Sequence, residues 1–134
     1  GHGWAHAVAH GSDLLAQAVA HPHFESESAG GVLATVHDVL ERVQRPFCDD
    51  EEERIANVLV VGMRSGAIAE ERVVGFIEAT DAEFWQANAD DDSLASYYRL
   101  SAWKRVVQTL YFLAPAVRPA CQSALKHYYH ENGY

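Results

Sequence analysis

Apolar positions recur at helical spacing in six stretches of the chain. Over residues 4–20, Trp4, Val8, Leu15 and Val19 share one stripe. His21-Pro22-His23 ends it, because a proline disfavours helix in the residue before it. A second helix is predicted over 28–44, with Val32, Val36, Val39, Leu40 and Val43 as its apolar set, closed by Arg45-Pro46. The third starts after Asp49 and Asp50, carries Ile55, Val58, Leu59 and Val61, and stops at Gly62 and Ser65-Gly66. The fourth covers 69–86 with Val73, Phe76, Ile77 and Phe84. The fifth covers 93–113 with Leu100, Trp103, Val107 and Leu110, and Pro115 breaks it. The sixth covers 117–130, with Val117, Cys121, Ala124, Leu125 and Tyr128 inward and Pro119 in its first turn.

No stretch alternates with a period of two, so the fold class is all-α with essentially no sheet. The six helices group into three antiparallel hairpins, 1–45, 46–88 and 89–134, within one domain spanning 1–134. Each hairpin is near the ~40–47 residues of a HEAT or armadillo unit. The three show no residue-level self-similarity. A HEAT/armadillo-like slab and a plain helical bundle therefore both satisfy the pattern. Two acidic runs read as local structure. Asp49 to Glu53 falls where a helix N-terminus favours carboxylates. Residues 88–93 lack the alternating ligands, glycine and closing glutamate of an EF-hand loop and read as a loop with an N-cap.

Composition narrows the function classes. The chain has 134 residues, 49% of them hydrophobic, which supports one packed core. Its net charge of −9 argues against nucleic acid and anionic membrane as partners. No apolar run approaches the ~20 residues of a membrane span. Cys48 and Cys121 form no CxxC pair and are expected as unpaired thiols in a cytoplasmic protein without a signal peptide. The chain opens on Gly1-His2-Gly3-Trp4, and the expectation is a piece of a longer polypeptide.

The opening helix carries the candidate chemistry. At about 100° per residue, with His6 at zero, His2 falls near about −40°, His10 near about +40° and Asp13 near about −20°. These four share an arc of about 80°, opposite Trp4, Val8, Leu15 and Val19. Imidazoles at i and i+4 can hold one divalent metal such as zinc, and Asp13 adds an oxygen. His37-Asp38, or His21 and His23, would complete a closed site, and water would complete a catalytic one. The same face also suits polar packing, with Asp13 fixing a histidine tautomer, or metal-free acid–base chemistry. The HExxH glutamate is missing. Ser12 lies about 120° from His6, poorly placed for a Ser–His pair. His127 and His130 are expected to complement the dipole of the last helix.

The run Gly3-Trp4-Ala5-His6-Ala7-Val8-Ala9-His10-Gly11-Ser12-Asp13-Leu14-Leu15 resembles the signature of the bacterial domain-of-unknown-function family numbered 2785, a Gly-Trp-x-His-x-x-Ala-His-x-x-Asp-Leu-Leu stretch. Tyr98-Arg99-Leu100, Trp103-Lys104 and Leu110-Tyr111-Phe112 resemble its later Tyr-Arg-Leu and Leu-Tyr-Phe segments. The resemblance implies an all-helical fold, no established activity, and members that carry further helix before the Gly-Trp motif. His2 stands where the family would have a basic residue, which removes it as a shared ligand.

Three functional expectations follow. One is a helical scaffold that binds a protein, peptide or small ligand in a groove, with Trp85, Tyr97, Tyr98, Tyr111, Tyr128 and Tyr129 as candidate lining aromatics and Trp4 and His37 as further candidate site residues. Another is a metal-dependent hydrolase with His6, His10 and Asp13 as ligands and His37 nearby. The third is the C-terminal half of a larger helical domain, associating through exposed apolar surface and forming a homodimer when isolated.

Overall fold

The computed structural model describes residues 2–134, and the side chain of His2, expected on the histidine face, lies outside that description. Among the described residues there is no strand. Six α-helices follow in order: α1 (His2–Ala20), α2 (Ala29–Glu41), α3 (Glu51–Arg64), α4 (Glu70–Asp90), α5 (Leu94–Leu113) and α6 (Arg118–Glu131). Short 3₁₀ turns, Ser26–Ser28 and Pro115–Val117, lead into α2 and α6.

The odd-numbered helices lie side by side, α1 against α3 and α3 against α5. α4 and α6 pack on each other and on α5, and α2 reaches α5. The arrangement is a helical slab or bundle, with α5 at its centre. The apolar stripes explain it. Leu40, Val43, Ile55, Leu59, Val73, Ile77, Val106, Leu110, Val117 and Cys121 are all sealed from solvent. Burying such side chains stabilises a fold by about 1.5–3 kcal/mol each. Trp103 and Phe84 meet edge to face with ring centroids 5.9 Å apart, filling the space between α4 and α5.

Local chemistry fixes the ends. The Ser93 hydroxyl accepts from the Ser96 amide at 3.2 Å and caps α5, while Asp91 accepts from the Ser93 amide at 3.0 Å. The 88–93 segment therefore serves as a helix boundary. Its helical part is longer than expected, because α4 continues to Asp90 rather than ending at Gln86. α3 also runs through Gly62, where the sequence predicts a stop. Gly62 is needed for close packing: a Cβ there would meet Ile68 at 2.5 Å. Helix termination falls to Ser65 and to Gly66, whose φ of +79° is the left-handed conformation a glycine adopts freely. The Ser65 hydroxyl donates to the Val19 carbonyl at 3.0 Å and ties the end of α3 to the end of α1. Both cysteines are free, and burial pushes the Cys121 thiol up to about 12. No described helix is long and apolar enough to cross a membrane.

Candidate functional site

α1 has the expected two faces. Of the expected apolar stripe, Val8 and Val19 are buried, Leu15 is half-buried and Trp4 is exposed, and on the other face His6, His10 and Asp13 are exposed. The imidazoles of His6 and His10 meet edge to face with centroids 4.7 Å apart, as side chains on successive turns should. The Asp13 carboxylate is engaged by Arg54 of α3 at 3.6 Å. His21 and His23 are occupied in the turn after α1, where His21 Nδ1 accepts from the His23 amide at 3.1 Å. His37 is directed to α4, with Nε2 at 2.8 Å from Glu83 Oε2. Among the described residues, the set whose ligand atoms all come within 4.8 Å of one another is His37, Glu41 and Glu83.

An open groove of about 910 Å³ runs beside the start of α1. It is built from three pieces of chain. The first turns of α1 supply Trp4, His6 and Ala9, the α2–α3 connection supplies Arg42, Arg45 and Phe47, and the start of α3 supplies Glu51 and Arg54. Trp4 stacks on Phe47 at 5.5 Å and 12°, which makes a flat aromatic wall. Phe47 is buried and anchors it, whereas Trp4 stays 37% exposed. The connection is shaped by Asp50, at φ 58°, a left-handed position that aspartate tolerates better than most residues. The Glu51 carboxylate accepts from the Asp49 amide at 2.7 Å and so closes the N-terminal turn of α3.

The groove is richer in arginine than the rest of this acidic chain, and Asp49 and Glu51 are the carboxylates on its lining. Three of the ten Lys and Arg residues line it in a molecule of net charge −9. Arg54 is shared with Asp13. Arg42 and Arg45 are exposed and join no ion pair among the described residues. None of the aromatics expected to line a groove borders this one, whose aromatic wall is Trp4 and Phe47. Tyr128 is a core residue, and Tyr97 and Tyr129 are exposed elsewhere. A second, apolar cleft of about 490 Å³ lies between α1 and α2, bordered by Trp4, Leu14, Leu15 and Val39.

Two polar clusters were not legible as clusters in the sequence. Asp81 of α4 accepts from the Trp103 indole at 2.9 Å and bonds His127 Nδ1 at 3.1 Å, linking α4, α5 and α6. His127 also lies against Trp85, with centroids 4.7 Å apart. His127, expected to complement the helix dipole, has a specific partner 46 positions away, and the basic residue in the last turn of α6 is His130. The second cluster surrounds His37. Its burial opposes protonation, but the hydrogen bond and charge of Glu83, with Asp38 and Glu41, outweigh that and raise its pKa above 6.5. On α3, Glu52 is only 4% exposed, and its Oε2 has no hydrogen-bond partner. Burial raises its pKa above the usual 4.5, reinforced by Glu53 and Glu51 and opposed by its own backbone hydrogen bond and by Arg105.

No curated protein and no solved structure matches the chain. A family model described as "Protein of unknown function (DUF2785)" matches residues 1–112, which includes all of α1 through α4 and nearly all of α5. The chain therefore belongs to the DUF2785 family.

Proposed function

We propose that this domain is a binding module and that the groove beside α1 takes a small multivalent anion with carboxylate or phosphate groups. The observation that carries this reading is the pair Arg42 and Arg45, which line one concavity in an acidic protein and join no ion pair among the described residues. Guanidinium groups offer planar, forked donors suited to carboxylate and phosphate oxygens. The Trp4–Phe47 wall gives a flat apolar contact for the rest of the ligand. The groove volume is within the ~300–1,000 Å³ common for small-molecule sites. His6, on the same lining, adds an imidazole hydrogen-bonding group.

Calorimetric titration with citrate and with inorganic pyrophosphate tests this. At least one should bind, and the double replacement Arg42→Ala/Arg45→Ala should weaken it about 10-fold or more, as expected for loss of charge-assisted hydrogen bonds. Equal affinity in the parent and the double variant would remove the groove from the account.

A second reading, a metal-dependent hydrolase built on His6, His10 and Asp13, is favoured by the His6–His10 contact. It requires zinc uptake that depends on both imidazoles. Unchanged zinc uptake by the His6→Ala/His10→Ala variant would end it.

A further inference from the structure

The cluster between α2 and α4 lies outside the groove and plays no part in the binding proposed there. His37 and Glu41 are four residues apart on α2 and project from successive turns. Glu83 comes from α4, 46 positions away from His37, and its Oε2 lies 2.8 Å from His37 Nε2. Glu41 Oε2 is 3.6 Å from His37 Nδ1. One ligand atom from each of the three lies within 4.8 Å of the others. We propose that His37, Glu41 and Glu83 form a binding site for one divalent transition-metal ion, zinc in class, which clips α2 to α4.

The donor set suits such an ion. One imidazole nitrogen and two carboxylate oxygens are ligands that zinc accepts, and three protein ligands leave its fourth position to water. The imidazole is partly buried, with a side-chain exposure of 23%. Its ring lies against Phe84, the residue next to Glu83, with centroids 5.7 Å apart. That contact limits the ring's rotation before any ion arrives. Asp38 Oδ1 lies 3.6 Å from His37 Nδ1 and is placed to orient the imidazole from outside the ligand set. Asp38, Glu41 and Glu83 have no Lys or Arg in ion-pair range among the described residues, so the only positive partner they share is a protonated His37. A metal ion would supply that positive charge in place of the proton.

The competing imidazoles are His6 and His10, and the experiment removes them. Tag-free His6→Ala/His10→Ala protein is titrated with zinc chloride at pH 7.5 by calorimetry. The expected result is one zinc per chain, with affinity about 10-fold or more lower after either Glu83→Gln or His37→Ala is added. Glu83 is an exposed side chain, and Glu83→Gln keeps its shape, so a folded variant is expected and circular dichroism checks it. Zinc should also raise the melting temperature of the parent but not that of the Glu83→Gln protein. Absence of zinc binding in the His6→Ala/His10→Ala protein, or equal affinity with and without Glu83→Gln, would overturn the assignment. Either result leaves the anion titration at Arg42 and Arg45 untouched.

Discussion

Asp81 shows how much one side chain can hold together here. It satisfies the indole of Trp103, which is 2% exposed, and the imidazole of His127. Asp81→Ala leaves the buried indole N–H without an acceptor, and such an orphan costs about 1–3 kcal/mol. The expected outcome is a urea midpoint shifted down by that amount with an unchanged slope, accompanied by altered Trp103 fluorescence. Glu52 should behave in the opposite sense. Its folded-state pKa lies above the usual 4.5. Its contribution to stability is therefore fully present below pH 4.5 and is lost as pH rises through the folded value. Glu52→Gln keeps the shape without the buried charge. It is expected to stabilise the protein at pH 7 by about 0.5–2 kcal/mol, and the gain should vanish below pH 4.5. Denaturant titrations at the two pH values check both the sign and its disappearance. Neither role can be read from the residue alone. Asp81 becomes special only when α5 and α6 bring Trp103 and His127 to it, and Glu52 reads in the sequence as one more carboxylate of the acidic run at a helix N-terminus.

At the scale of elements the sequence was far more informative. Most of the predicted stripes are buried: Leu100, Trp103, Val107 and Leu110 on α5 are all core residues, as are Val73, Ile77 and Phe84 on α4, while Leu15, Val39, Val61, Phe76 and Leu125 are half-buried and Trp4 is exposed. Boundaries were harder, because helical reach depends on tertiary contacts that spacing does not encode. Gly62 illustrates the difficulty. As a helix-interior glycine, its replacement by alanine would ordinarily gain about 1 kcal/mol. Ile68, 1% exposed, occupies the space that a Cβ would need, with its Cγ1 as well as its Cδ1 inside 3 Å. Gly62→Ala is therefore expected to destabilise the fold by about 1–3 kcal/mol. Combining it with Ile68→Ala should cost less than the sum of the two changes, since the second removes the clash. A double-mutant cycle in urea measures this directly, and additivity would contradict the packing account.

For the whole molecule, the balance of charge and shape decides the functional reading. The histidine face of α1 was legible because helical geometry alone sets the spacing of His6 and His10. The groove was not, because it needs the α2–α3 connection to fold back against the first turns of α1. Arg42, Arg45 and Phe47 join Trp4 only through that return, and nothing in the spacing of residues 42–54 announces it. The His37 cluster was half legible. His37 was singled out as an extra ligand and Glu41 sits one turn on, but Glu83 arrives through the packing of α2 beside α4. The central claim, that the acidic domain holds an anion in the groove lined by Arg42 and Arg45, is tested most directly by amide chemical-shift mapping during titration with pyrophosphate. The account predicts saturable shifts concentrated in residues 3–9 and 42–54, and their loss in the Arg42→Ala/Arg45→Ala protein. Saturable shifts centred elsewhere, for example on α6, or no saturable shifts with either pyrophosphate or citrate, would contradict it.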